Sequence, residues 1–325
     1  MSRKIKVVTI LSSILFLSIS LSPGALAQEK FPSRPITFLI SFPPGGSIDI
    51  MFRTLTDIAS KYLGESIIPV NKPGGSGTLA AASLKTVKPD GYTLAVSINN
   101  LLSVPYVQDV TFDPMKDFTY ILRTHGAHIG LSVRSDSPWK DLKDIVDYAK
   151  QHPNEIKYST SSPGGVHRFA MEDIALKEEI KWNVVPYPGG AQAITALLGG
   201  HVHASSQDTI SAGSHIESGT LRLLTVFTEK RSERFPNVPT LKELGYTPWF
   251  PNAGVLGPAG MDHNVVKILH DAFKRAVEDP TFIAMADKFD SPILYLNSED
   301  YDLFMRKSYA KYGEAIRKVG LLKKN

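Results

Sequence analysis

No cysteine occurs among the 325 residues. That excludes disulfide scaffolds, thiolate metal or iron–sulfur sites and cysteine nucleophiles. Excess charge is nearly absent as well. The formal charge is +4, but the first 27 residues hold Arg3, Lys4 and Lys6 and no acid, and the remainder carries 33 basic and 32 acidic residues. A chain so close to neutrality has no electrostatic footprint for nucleic acid or an anionic membrane. The apolar run at 7–21 is 15 residues long, short of the roughly 20 needed to cross a bilayer. No low-complexity linker breaks the sequence. What remains is 42% hydrophobic and 21% charged, an ordinary globular balance, and the length suggests two domains.

The N-terminus reads as a secretory leader. Three basic residues precede the apolar run, Pro23 and Gly24 break it, and Ala25-Leu26-Ala27 forms an A-x-A cleavage site. Residues 1–27 are thus expected to be removed, with Gln28 as the first mature residue. With no cysteine to carry a lipid, the mature chain is expected to be soluble and periplasmic.

Beyond the leader, short β-rich runs alternate with amphipathic segments. Strands are expected at 36–41, 66–70, 92–97, 130–133, 156–159, 184–187, 202–206 and 221–228. Helices are expected at 48–63, 78–87, 139–151, from His167, and at 191–198, 265–278 and 299–319. This βαβ alternation predicts an α/β fold with parallel sheets and helices on both faces. Two domains without a linker imply that strands cross between them, near 126–131 and near 254–259. The expected division is domain 1 at 28–128 plus 253–325 and domain 2 at 129–252.

Three loops share one design: each leaves a strand, passes through Pro-Gly-Gly and opens a helix. They are 42–49, 159–167 and 187–191. Glycine lets the backbone approach a ligand closely. A helix start offers unpaired N–H groups and the positive end of the macrodipole. Together these suit a small anion such as a carboxylate or phosphate. Ser47 is read as a hydroxyl donor or a cap, and Asp49 as an acid matched to the first helical turn.

Enzyme motifs are missing. Neither Gly74-Gly75-Ser76-Gly77-Thr78 nor Gly45-Gly46-Ser47-Ile48-Asp49 completes G-x-S-x-G. No phosphate loop ends in Gly-Lys-Ser/Thr. The run 75–80 fits G-x-G-x-x-A, but Asn99 and Asn100 stand where a dinucleotide site needs an acid. His201 and His203 would share one face of a strand, and His125 and His128 are three apart. Nothing in the spacing supplies the further ligands zinc requires, so neither metal nor cofactor is expected.

The loops nevertheless form a recognisable series. Residues 31–37 (FPSRPIT) run into 42–49 (FPPGGSID), followed by 70–77 (VNKPGGSG), 89–94 (PDGYTL) and 112–119 (FDPMKDFT). Then come 187–191 (YPGGA), 198–200 (LGG) and 238–245 (VPTLKELG). In this order they resemble the Bug receptors, the extracytoplasmic solute receptors of tripartite tricarboxylate transporters, over essentially the whole mature chain. The resemblance implies a type II periplasmic binding protein fold: two doubly wound α/β domains joined by crossing strands. It implies a non-catalytic receptor that holds a small organic acid between the domains and meets integral-membrane transporter subunits. A monomer is expected.

Family-style contacts would fall on Phe42, Pro43, Gly45, Gly46 and Ser47 of the first loop, and on Ser97 and Asn99 at the end of the third strand. The second domain would add Ser161, Ser162, Gly164, Gly165 and His167, then Tyr187, Gly189, Gly190 and Ala191. Where the family commonly has acids after the Gly-Gly pair, this chain has His203 and Gln207. Gln207 is counted as a contact. Its neutrality disfavours an amino-acid ligand and favours a mono- or dicarboxylate, aromatic ones included. Two other readings compete: a solute sensor docking on a signalling receptor, and a hydrolase or lyase using Ser47 or His167.

Overall fold

The computed structural model describes residues 30–161, 163–249 and 252–323. The expected leader and Ser162 lie outside the described residues. In chain order the elements are β1 (Ile36–Ile40), α1 (Ser47–Leu63), β2 (Ile67–Asn71), α2 (Leu79–Ala82), β3 (Thr93–Ile98), α3 (Asn100–Val107) and β4 (Phe118–His125). Next come β5 (Ile129–Arg134), α4 (Leu142–Gln151), β6 (Lys157–Thr160), α5 (Val166–Glu178), β7 (Asn183–Pro186), α6 (Gly190–Leu198), β8 (Ala204–Asp208), α7 (Thr209–Glu217) and β9 (Leu221–Val226). The chain closes with β10 (Ala253–Pro258), α8 (His263–Val277), α9 (Pro280–Lys288), β11 (Ile293–Leu296) and α10 (Ser298–Lys318).

The strands form two sheets. One is ordered β11-β4-β10-β3-β1-β2 and the other β7-β6-β8-β5-β9. Each sheet is built around parallel strands, but β10 runs antiparallel between β3 and β4, and β5 runs antiparallel between β8 and β9. These two are the first strands the chain enters after changing sheets. Each inserts at the same place, beside the third strand of its sheet. This shared order with two crossings is the type II periplasmic binding protein fold. The all-parallel expectation therefore needs one amendment, since a strand arriving from the other half enters in the opposite direction. The first crossing lies at 126–128. The segment 254–259, expected to be the second crossing, is instead β10 itself, and the return passes between Val226 and Ala253.

Period-2 alternation places the strands of the first sheet between two apolar layers. Phe38, Ile40, Leu94 and Val96 face Met51, Phe52 and Leu55 of α1 and Phe273 of α8. Leu39 and Ala95 point the other way, toward Leu101 and Leu102 of α3 and Tyr301, Met305 and Ile316 of α10. That second layer continues into the other half, where Trp249 packs between Phe169 and Tyr312 at centroid distances of 5.8 and 5.7 Å.

Two local expectations fail. The helix foreseen at 78–87 is broken into 3-10 turns at Gly75–Gly77 and Ser83–Thr86 flanking the four-residue α2. The hydroxyls of Thr78 and Ser83 donate to the carbonyls of Gly75 and Ala80, the local competition that shortens helices. The strand foreseen at 202–206 begins instead at Ala204, because Gly200 adopts φ +71° and turns the chain. His201 and His203 therefore do not share a strand.

Candidate functional site

All three Pro-Gly-Gly loops reach one cleft between the sheets. Its inner cavity has a volume of about 100 Å³ and is walled from the first half by Phe42, Pro43, Gly46, Ser47 and Asn99. Ser161, His167, Gly189, Gly190 and Ala191 wall it from the second. No lysine or arginine lines it among the described residues.

The three helix starts differ electrostatically. At α1 the amide of Gly45 donates to Asp49 at 2.9 Å, and Arg53 and Asn71 also donate to that carboxylate, at 2.8 and 2.7 Å. Burial alone would raise Asp49, but the hydrogen bonds from Arg53, Gly45 and Asn71 outweigh it and hold the group below the ordinary carboxylate range. The start of α1 is thus already matched by an internal acid. The α5 and α6 starts are not: Gly165 and Gly189 stand at their N-caps, neither helix has a side-chain cap, and neither has an acid in its first turn. Their first N–H groups have no side-chain acceptor at the cap. The backbone here has no room to spare, since a Cβ on Gly190 would lie 2.5 Å from the Ser211 hydroxyl.

His167, in the first turn of α5, is the least satisfied group at the site. Both ring nitrogens are buried without a hydrogen-bond partner. Burial pulls its pKa down to about 4, against the opposing pull of the Asp208 charge, so the ring is neutral at physiological pH. Its backbone is pinned by the Ser206 hydroxyl, which donates to the His167 carbonyl at 2.7 Å. Gln207 accepts from the Ser161 hydroxyl at 3.1 Å and keeps its amide nitrogen buried and unpartnered.

Among the described residues, two side-chain hydrogen bonds join the walls of the cleft. Ser47 donates its hydroxyl to Asp208 at 3.1 Å, and Asp208 also caps α7 by accepting the Ser211 amide at 2.8 Å. Ser103 of α3 donates to the carbonyl of Gly164. The Gly164 backbone lies close enough that a Cβ would meet Val104 at 3.0 Å and Ser76 at 3.4 Å. The two halves are therefore in contact at both the inner wall and the mouth of the cleft, a closed arrangement.

Other sequence-predicted residues stand apart from the inner cavity. Ser97 is buried and accepts the Tyr301 hydroxyl at 2.8 Å. Gly45 turns the first loop at φ +79°. Gly164 and Gly165 shape the mouth and the α5 start, and Tyr187 lines an outer groove with Phe42 and Ser161. Sequence reasoning missed Asn252, His125, Gly126, Ala127 and Ile129 as wall residues. They belong to the crossing segments, and their place depends on where the two halves meet rather than on any local motif. Asn252 donates to the Tyr301 hydroxyl at 3.0 Å.

The histidine pairs separate. His125 takes a hydrogen bond with Thr124 and packs between Phe52 and Phe282; burial, aided by Arg123, lowers its pKa to about 3. His128 pairs with Asp290, and His203 accepts the Lys157 amide at 3.0 Å. Among the described residues no three histidines or acids converge as metal ligands.

Comparisons with known proteins bear on the family and the fold. A family model described as "Tripartite tricarboxylate transporter family receptor" matches residues 51–321. A Cupriavidus necator protein, "UPF0065 protein in gbd 5'region", is 40% identical over 312 residues, 94% of each chain. A solved "periplasmic transporter" superposes with a TM-score of 0.85 at 27% identity, over 90% of this chain and 99% of that one. An R. palustris protein solved with adipate also gives 0.85, at 24% identity, over 90% of this chain and 100% of its own. No helix among the described residues is long and apolar enough to cross a membrane. The chain belongs to the tripartite tricarboxylate transporter receptor family.

Proposed function

We propose that this family member captures a small carboxylate in the cleft, outside the cytoplasmic membrane, and hands it to integral-membrane transporter subunits. The observation that carries this reading is the pair of uncapped helix starts, α5 and α6, opening on a cavity without a cation. A carboxylate there is met by backbone N–H groups, whose hydrogen bonds to a charged oxygen are roughly twice as strong as neutral ones. Neutral His167 and the Ser161 hydroxyl add polar partners. The charge of Asp208 is matched by the α7 start and Ser47, so it does not confront the ligand unscreened. That a structural neighbour was solved with adipate supports a carboxylate guest.

Closure follows from the same contacts. A ligand shifts the open–closed balance only by its preference for the closed state, so it must touch both halves. The first loop and the α5 and α6 starts supply the two sides. The family and fold point to binding rather than catalysis. Ser47 gives its hydroxyl to Asp208, and the His167 ring has no hydrogen-bond partner, so no hydroxyl–imidazole pair is assembled for nucleophilic attack. The test is a thermal-shift screen of organic acids on the purified protein. A cognate acid at 100 times its Kd should stabilise by about 2.7 kcal/mol, a rise in Tm of roughly 5 °C for a chain this size. A panel in which no acid raises Tm refutes the reading.

A further inference from the structure

Gln207 is not part of the inner cavity's wall; it stands behind two residues that are. Ser161, on the loop leaving β6, gives its hydroxyl proton to the Gln207 side-chain oxygen at 3.1 Å. Gly190, at the α6 start, comes so near that a Cβ there would lie 3.1 Å from the same oxygen. Both Ser161 and Gly190 line the cavity. The Gln207 residue is only 3% exposed, and its amide nitrogen is buried without a partner.

The direction of the Ser161–Gln207 bond decides what the cavity offers. A hydroxyl has one proton, so while Ser161 gives it to Gln207 only lone pairs remain for a guest. An ionised carboxylate accepts hydrogen bonds and donates none, so it needs that proton. A half-turn of the terminal amide exchanges oxygen for nitrogen and leaves the outline of the side chain unchanged. The nitrogen then donates to the Ser161 oxygen, and the serine proton is released toward the cavity. An ionised acid at this position has no such second face. It accepts through both oxygens and would hold the serine proton permanently.

Resting on the carboxylate reading above, we infer that Gln207 is a positioning residue: by turning its amide it sets whether Ser161 accepts from the cavity or donates into it. Being an amide rather than an acid is what lets Ser161 donate to a carboxylate.

Isothermal titration at pH 8 tests this, where an acid beside the α6 start is ionised. The probe is whichever of acetate, butyrate, benzoate, succinate and adipate gives the largest thermal shift. Gln207→Glu should weaken its binding at least about tenfold, the worth of a hydrogen bond to a charged oxygen. Gln207→Met should stay within about threefold of wild type, because an unbonded Ser161 keeps its proton for the guest. Ser161→Ala should weaken binding about tenfold, and adding Gln207→Glu to it should cost no more than about threefold further, since the hydroxyl they act through is gone. If Gln207→Glu does not fold, Gln207→Met and Ser161→Ala still decide. A tenfold loss in Gln207→Met would make Gln207 a direct contact or a packing element and overturn the relay. Wild-type affinity in Gln207→Glu or in Ser161→Ala would overturn it as well. So would a Gln207→Glu loss that persists undiminished in Ser161→Ala, which is plain charge repulsion. A panel in which none of the five acids binds overturns the receptor reading instead.

Discussion

Asp290→Asn should destabilise the protein at pH 6 and do little at pH 9. Asp290 lies between α9 and β11 and packs against both crossing segments, through His128 and Ser232. One carboxylate oxygen lies 3.1 Å from Nδ1 of His128, on the first crossing, and the other accepts the Ser232 hydroxyl at 2.7 Å. The pair is buried, with 11% and 4% of the side chains exposed. Burial pushes the His128 pKa down, but the hydrogen bonds and charge of Asp290, with Glu233 adding to them, raise it above its ordinary value of 6.5. A raised folded-state pKa means that folding binds the proton more tightly. The contribution is therefore complete below about pH 6.5 and is lost as pH rises through the folded-state value. Removing one partner of a buried pair commonly costs about 3–5 kcal/mol because a charge is stranded. Here His128 can release its proton, and the asparagine oxygen can still accept from Ser232. The loss then falls to about 1–2 kcal/mol. Asparagine also tolerates the φ of +54° that Asp290 adopts. At about 2 °C per kcal/mol for a chain this size, Tm should drop about 2–4 °C at pH 6 and less than half that at pH 9. Circular dichroism melts of both proteins at both pH values decide it, and equal drops refute the argument.

Other outcomes follow from the cleft and the core. Gly46→Leu should leave folding intact, because a Cβ there meets only the Pro43 carbonyl at 3.5 Å. It should abolish the ligand-induced thermal shift by filling the wall; a wild-type shift would remove the first loop from the site. His125 and His167 have pKa values pulled down to about 3 and about 4, so their contribution is present above about pH 6.5 and is lost as pH falls toward those values. Tm should decline between pH 6.5 and 4.5, less so in His167→Gln, and identical slopes in the two proteins would contradict this. Ser47→Ala removes the bond to Asp208 across the cleft, worth about 1 kcal/mol, and should shift the ligand-free protein toward the open form. Small-angle scattering would register a larger radius of gyration, and an unchanged radius would deny that bond a role in closure.

The sequence made the local grammar legible because it is written in short-range chemistry. β-branched runs ended at Pro-Gly-Gly turns, and the helices that followed began where those glycines stop. The 159–167 and 187–191 loops share an edge because the parallel β6 and β7 of one sheet point their carboxyl ends the same way; that the 42–49 loop of the other sheet meets them depends on how the halves face each other. The crossing near 126–131 could be placed, but β10 was read as a crossing because an antiparallel strand in the middle of a sheet carries the same apolar signature as one between halves. Ser97 is expected as a ligand contact at the end of the third strand, yet its hydroxyl accepts from Tyr301, 204 positions away. The wall residues Asn252 and His125 likewise owe their place to long-range packing. The occupation of the α1 start by Asp49 was read as a dipole match, but the cross-cleft role of Asp208 depends on how the halves meet.

The insertion of β10 also dictates an order of assembly. Among the described residues β4 pairs only with β10 and β11, both made after the chain has returned from its excursion. During synthesis β4 therefore waits with both edges bare while the second sheet, contiguous in sequence, can already close. The first sheet is split in two until β10 slots between β3 and β4. Non-local pairing of this kind is slow and exposes apolar strand edges meanwhile, so a truncation that spares the second half but deletes residues 253–325 should yield insoluble material rather than a smaller working lobe.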